Sequence, residues 1–340
     1  MTGAGLGLVS LYTGAGGLDI GAESAGFSIK LCAEIDPVRV QTIRLNRPEW
    51  QVVNQDVARL SSASVRRRTR LGRKERFFLA AGSPCQPYSK SAFWIPDRVS
   101  KIHLDYRTRT LWHFARFVRE LRPDGFMLEN VHGLVFKPCR PLFRRLLRSL
   151  GKGGYGLSWT VVNAAQFGVP QRRERLFLVG LKDHQEFNFP KPMRLQGNYV
   201  SAQEAFRGLP DIEEDTETVS GKWGHLLPKI PPGKNYLYLA RTRRGDKPIF
   251  RWRSRYWTFL LKLAPKLPSW TIQARPGPYV GPFHWDNRRL RIPEVKRLQT
   301  FPDDYQIVGS RRSAWAQLGD ATPPLLAREL FRGLLQQAAS

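Results

Sequence analysis

An α/β fold, built on a largely parallel sheet with helices on both faces and carrying a smaller basic module late in the chain, is what this sequence predicts. Three observations carry that expectation. Short apolar runs alternate with helix-like stretches from residue 8 to residue 180. Several of those runs end abruptly in chemically special residues, as strand ends beside a ligand site do. The alternation then stops after Gly180, where Pro190, Pro192, Pro228, Pro231 and Pro232 flank an acidic stretch from Asp211 to Glu217.

Taken in order, the runs are Leu8 to Tyr12, Ile29 to Ala33, Gln51 to Val53, Phe77 to Ala81, Gly125 to Leu128 and Leu176 to Gly180. Each is short enough for a strand and is followed by enough chain for a crossover helix. Residues 1–190 form one expected domain, completed by residues 310–340, where the apolar periodicity from Pro324 to Leu335 predicts a closing helix. Residues 191–309 form the second expected domain. With 41% hydrophobic and 11% aromatic residues, the 340-residue chain has material for one sizeable core and a second smaller one.

Lys and Arg number 55 against 28 Asp and Glu, a net charge of +27, which selects a polyanionic partner and argues against an enzyme of small neutral metabolites. The cysteines Cys32, Cys85 and Cys139 are odd in number and show no C-x-x-C spacing, so neither a disulfide framework nor a metal site is expected. No charged leader opens the chain and no apolar run nears the roughly 18 residues of a membrane span. A cytoplasmic location is expected.

The first strand leads into Tyr12-Thr13-Gly14-Ala15-Gly16-Gly17, and Glu34 ends the next strand about twenty residues on. Glycines there let backbone approach a nucleotide-like ligand, while a carboxylate holds ribose hydroxyls. Asp56, after the third strand, suits an exocyclic amine, or equally a helix cap. The fourth strand ends in Gly82-Ser83-Pro84-Cys85-Gln86-Pro87. Two prolines stiffen that loop and hold a thiol at the cleft, where it can act as a nucleophile. Burial as a small hydrophobe is the plainer fate of a cysteine, and it is the reading for Cys32 and Cys139. The fifth strand ends in Glu129-Asn130-Val131, where desolvation raises a carboxyl pKa as an acid catalyst requires. In Gln171-Arg172-Arg173-Glu174-Arg175, strand alternation sends Arg173 and Arg175 to one side, facing one cleft.

Together with Gly319-Asp320-Ala321-Thr322-Pro323-Pro324, these segments resemble, in sequence order, the motifs of the DNA cytosine-5 methyltransferase family of the bacterial restriction-modification type. The resemblance implies a class I S-adenosylmethionine-dependent methyltransferase fold, a Rossmann-like mixed sheet with helices on both faces, plus a target-recognition domain over 191–309. It implies transfer of a methyl group from S-adenosylmethionine to carbon 5 of a flipped-out cytosine in duplex DNA, leaving S-adenosylhomocysteine. Cys85 is the implied nucleophile and Glu129 the acid at N3; Arg175 holds the cytosine O2 and Arg173 steadies the acidic site by its charge. For the cofactor the matching positions are Tyr12, Gly14, Ala15, Gly16, Gly17, Glu34, Ile35, Asp56, Val57, Gly82, Pro84, Leu111, Asp320 and Ala321, without a metal. The family's usual Asn is Asp320 here, and its usual Phe is Tyr12.

On DNA the expected contacts are Gln86, Ser89 and Ser91 from a basic loop reaching Arg107 and Arg109, and Arg241, Arg243, Arg244, Arg251, Arg253 and Arg288 from the recognition segment. Phe250, Trp252, Tyr256 and Trp257 interleave with those arginines, as core or as contact surface. His284 reads as structural, and Arg297-Leu298-Gln299 as organising the recognition segment. A monomer with double-stranded DNA as partner, and a separate cognate restriction endonuclease, complete the expectation. The transfer-RNA branch of the fold is the alternative, but its Cys-Phe-Thr signature is absent. A second alternative is a catalytically silent DNA-binding protein on the same scaffold, which would typically lack the cysteine or the glutamate, and both Cys85 and Glu129 are present.

Overall fold

The computed structural model describes residues 6–72, 75–88, 105–210, 217–240, 247–253 and 256–339. Ser89, Ser91, Arg98, Lys101, Arg241, Arg243, Arg244 and Arg255 lie outside the described residues. Among the described residues, strands β1 (Gly7–Leu11), β2 (Ser28–Glu34), β3 (Val52–Asn54), β4 (Phe77–Gly82), β5 (Gly125–Val131), β6 (Gly156–Asn163) and β8 (Glu174–Leu181) form a seven-stranded sheet. Its order is β3-β2-β1-β4-β5-β8-β6. The first five strands in that order are parallel, while β8 runs antiparallel to both neighbours. The sheet is therefore mixed.

Every residue of β1 is buried, as the central strand of a doubly covered sheet must be. One face of the sheet packs a core that holds Leu8, Phe78, Met127 and Val179 with the closing helix α9 (Pro324–Ala339). The other packs Val9, Leu79 and Leu128 against α4 (Arg109–Leu121) and α5 (Arg140–Gly151). Period-2 alternation along the strands divides these two cores.

A second, two-stranded sheet joins β7 (Gln171–Arg172) to β9 (Ser269–Trp270), so the late segment is stitched to the main body beside the site. The span 191–309 divides by packing. Ala202, Leu263, Ile272, Leu290, Val295, Leu298, Phe301 and Tyr305 belong to the main core. A separate cluster gathers Val219, Leu227, Ile230, Tyr236, Phe250, Phe259 and Phe283, with Trp223 and Trp252 against it. Of the four interleaved aromatics, Phe250 and Trp252 are core, whereas Tyr256 and Trp257 are more than half exposed. No helix among the described residues is long and apolar enough to cross a membrane.

Candidate active site

Parallel register brings the site together at the carboxyl ends of β1, β2, β4 and β5. Gly82, ending β4, pairs with Glu129 near the end of β5. The loop after Gly82 is pinned across this pair by Asn130, whose Nδ2 donates to Ser83 Oγ at 2.8 Å and to the Ser83 carbonyl at 3.3 Å. The Tyr88 N–H closes a tight turn onto the Cys85 carbonyl at 2.9 Å. Cys85 is thus held on a short, proline-flanked loop and is partly accessible, while Cys32 and Cys139 are buried.

Glu129 is buried, and its Oε1 accepts from Arg175 Nε at 2.9 Å. Burial raises the Glu129 pKa, and Arg175 followed by Arg173 pulls it back. Burial also raises the Cys85 pKa; Arg175 opposes this and the Glu129 charge adds to it. The three groups form one electrostatic unit in which protonating Glu129 favours the thiolate.

Cys85, Glu129 and Arg175 line a cavity of about 640 Å³ that also takes in Tyr12, Gly14, Glu34, Ile35, Asp56, Val57, Gly82, Pro84, Gln86, Asp320 and Ala321. A space of that size suits a nucleotide-sized ligand. Glu34 is fixed by two backbone donors, Gly14 N–H at 2.7 Å and Asp36 N–H at 2.9 Å, which hold its carboxylate at the cavity. Asp56 accepts from the Ala58 N–H at 2.9 Å, so it caps a turn while facing the same space. Gly16 has φ 84°, a left-handed conformation that opens α1 (Gly17–Ser24). A Cβ at Gly17 would lie 2.3 Å from the Thr322 carbonyl, so the helix start approaches residues 321 and 322 as only glycine permits.

Several expected residues stand elsewhere. Ala15, Gly16 and Gly17 shape the turn without lining the cavity. Leu111 is wholly buried on the core face of α4 rather than at the cavity wall. Arg173 does not face the cleft beside Arg175. It is fully buried, donating from Nη2 to the carbonyls of Gly319 at 2.8 Å and Ala321 at 2.9 Å, and from Nη1 to Ile272 at 3.2 Å. The physical reason is local: β7 ends at Arg172 and β8 begins at Glu174, so strand alternation does not run through residue 173. Arg288, expected on DNA, is forked onto Glu294 at 2.6 and 2.9 Å, with its side chain 12% exposed. That pair, with His284 stacked on Phe206 and tilted against Trp285, braces the start of α7 (Ile292–Leu298). Arg251 and Arg253 are exposed.

Arg39 is a charged wall residue that the motifs did not indicate. Its Nη2 meets Asp320 Oδ2 at 2.6 Å across 281 positions of sequence. Asp36, three residues before it, supplies a second carboxylate at 3.6 Å. The Asp at 320 therefore faces a dedicated counter-charge. The only cue in the sequence is a basic residue one turn beyond the Asp36 cap of α2 (Pro37–Asn46), a pattern too common to single out.

A family model for C-5 cytosine-specific DNA methylase matches residues 6–336. Among curated relatives, the Type II methyltransferase M.SacI of Streptomyces achromogenes is 36% identical, the match covering 97% of this chain and 93% of that protein. The Type II methyltransferase M1.HphI of Haemophilus parahaemolyticus is 29% identical, over 96% of this chain and 86% of that protein. Among solved structures, the S. pombe Dnmt2 methyltransferase superposes with a TM-score of 0.68 at 17% identity, covering 98% of this chain and 99% of that one, a likeness of fold. Motif order, the geometry of the cavity and a family match along almost the whole chain converge: the chain belongs to the C-5 cytosine-specific DNA methylase family and is a DNA cytosine-5 methyltransferase.

Proposed function

We propose that this enzyme methylates carbon 5 of a cytosine rotated out of a specific duplex sequence, through a covalent adduct with Cys85. The observation that carries the reading is the single cavity wall on which Cys85, Glu129 and Arg175 stand together. Carbon 5 of cytosine is a weak nucleophile, so ring aromaticity has to be broken first. Cys85 Sγ bonds to carbon 6 while Glu129 holds a proton at N3, which turns the ring into an enamine nucleophilic at carbon 5. Arg175 orients the ring at O2 and balances whatever charge remains on Glu129. After methylation the carbon 5 proton leaves, Cys85 is expelled as thiolate, and the aromatic ring returns.

The opposite wall fits S-adenosylmethionine. Glu34 offers an acceptor for ribose hydroxyls, Asp56 one for an exocyclic amine, and the Arg39–Asp320 pair matches the opposed charges of an amino-acid end. When bound, that group supplies an electrophilic methyl. Tyr12, Gly14, Ile35 and Val57 would shape its enclosure, with Gly82 between the two walls: a Cβ there would stand 3.6 Å from the Tyr12 carbonyl and 3.8 Å from Glu129 Oε2.

The basic segment around the second hydrophobic cluster, with Arg251 and Arg253 exposed, is the proposed recognition domain, and Gln86 is proposed to meet DNA from the nucleophile's side. The Type II relatives favour a role as the modification partner of a separate restriction endonuclease, and a monomer in a bacterial cytoplasm is proposed with it. Rotating a base out of the stack costs a few kcal/mol, which phosphate contacts must offset. Purified enzyme should transfer labelled methyl to duplex DNA. Cys85→Ala should abolish transfer and leave cofactor affinity intact by calorimetry; DNA carrying 5-fluorocytosine should trap a complex that survives denaturation. Unimpaired turnover by Cys85→Ala ends the covalent reading. Bisulfite sequencing of DNA from expressing cells identifies the target cytosine.

A further inference from the structure

A second basic surface lies outside the cavity, on α5. Its sequence, RPLFRRLLRSLG, buries Phe143, Leu146 and Leu150 and exposes Arg140, Arg144, Arg145 and Arg148. The helix contains no acidic residue, and exposed Lys137 and Lys152 flank it. Arg140, Arg144 and Arg148 repeat at four-residue spacing, which places like charges roughly 6 Å apart along one stripe. Each such neighbour pair destabilises a helix by a few tenths of a kcal/mol. A merely solvated face interleaves carboxylates to avoid this; among the described residues these six cations form no ion pair.

The ridge stands between two grooves. One, about 750 Å³, separates it from the edge strand β6 and contains Trp159, 46% exposed and edge-on to Phe143 at 5.3 Å. The other, about 1060 Å³, separates it from α4, where Arg145 lies over Trp112 at 5.0 Å and Arg119 and Arg122 add charge. The carboxylates near the second groove are few: Asp183 lines it, Asp124 is paired with Lys182 at 3.1 Å, and Glu120 lies between Arg116 and Arg119.

The position of the ridge relates it to the chemistry. His132, in the first groove, follows the strand that carries Glu129, and its Nδ1 is 2.9 Å from Glu174, the neighbour of Arg175. From that rim α5 runs away from the cavity for about 18 Å.

We propose that α5 is a backbone-binding exosite for the duplex flanking the target, holding phosphates without reading bases. This rests on double-stranded DNA being the substrate. Charge complementarity is the argument for the occupant: unpaired guanidiniums at regular spacing suit a regular polyanion.

The test compares the full-length enzyme with Arg144→Ser/Arg145→Ser/Arg148→Ser and with a control, Arg67→Ser/Arg68→Ser, which removes exposed arginines from α3 (Ser62–Thr69). Anisotropy is read across a salt series on random-sequence duplexes of about one helical turn and about four turns. On the longer duplex the triple variant should lose about 2 to 3 from the slope of log K against log salt. On the shorter duplex, and for the control on either, the slope should be unchanged. An unchanged slope in the triple variant on the longer duplex overturns the exosite, as does an equal loss on both lengths. Failure of the unaltered enzyme to bind any duplex overturns instead the duplex-substrate reading. Thermal unfolding of the triple variant at the parent temperature shows that packing is retained.

Discussion

Arg173 offers the sharpest test of how the two ends of the chain are joined. Replacing it with Met keeps the length of the side chain but removes the donors to Ile272, Gly319 and Ala321, which are buried with it. A buried carbonyl stripped of its donor costs about 1 to 3 kcal/mol. Relief of the guanidinium's own desolvation returns part of the sum for three, leaving about 3 to 5 kcal/mol. At about 2 °C per kcal/mol for a chain of this size, Tm should fall by about 6 to 10 °C. Arg173→Lys, which keeps the charge and restores one or two contacts, should fall by about half as much. Because two of the carbonyls belong to the segment that presents Asp320 and Ala321 to the cavity, cofactor affinity should weaken together with Tm. Calorimetric unfolding and titration calorimetry on the same preparations read both. A Tm within 2 °C of the parent would falsify the clamp; lost turnover with unchanged Tm and affinity would place Arg173 in the chemistry instead.

Three further outcomes follow from the electrostatics. With the Glu129 pKa raised by burial, kcat/KM should decline as pH rises through its deprotonation, and Glu129→Gln should remove that limb while the rise caused by Cys85 ionisation stays. Arg39→Ala strands Asp320, whereas Asp320→Asn leaves Arg39 with Asp36. Cofactor Kd should therefore rise about tenfold in the first and less than threefold in the second, the double variant matching the second; equal and additive losses would show that the two do not act as a pair. Asp19 is fully buried with Oδ2 lacking a partner among the described residues, and burial pushes its pKa up to about 7. Its folded value lies above its unfolded one, so the contribution is full below about pH 4, is lost as pH rises through about 7, and is constant above that. Asp19→Asn should be up to about 4 kcal/mol more stable than the parent at pH 8 and close to it at pH 4, read as Tm against pH.

The parts of the fold visible in the sequence are those set by local chemistry. Buried strands such as β1 are continuous apolar runs, and the residues at their ends follow directly from β-strand topology. β6 was not visible because it is the edge strand: Ser158 and Thr160 break its apolar run, and most of its residues are only partly buried. Without β6 the antiparallel placement of β8 could not be read either. At the site, Cys85 and Glu129 were legible because proline flanks and a strand end constrain them within a few residues. Arg39 was not, because its partner is 281 positions away. Arg173 looked equivalent to Arg175 until the break between β7 and β8 separated them.

That separation gives the two arginines different partners. Arg173 holds carbonyls from two distant stretches of sequence that pack together, Ile272 from the late segment and Gly319 with Ala321 from the cavity wall. The same clamp charge, after that of Arg175, opposes the rise that burial imposes on the Glu129 pKa. The clamp therefore has a short covalent and hydrogen-bonded route, through residues 174 and 175, to Glu129, and a direct one to the cavity wall at Ala321. Arg175 works at the other end of that route, on Glu129 itself. Two arginines that read alike in sequence thus stand apart, one bonded to the backbone behind the cavity and the other paired with Glu129, and substitutions at 173 and 175 should separate affinity and Tm from turnover.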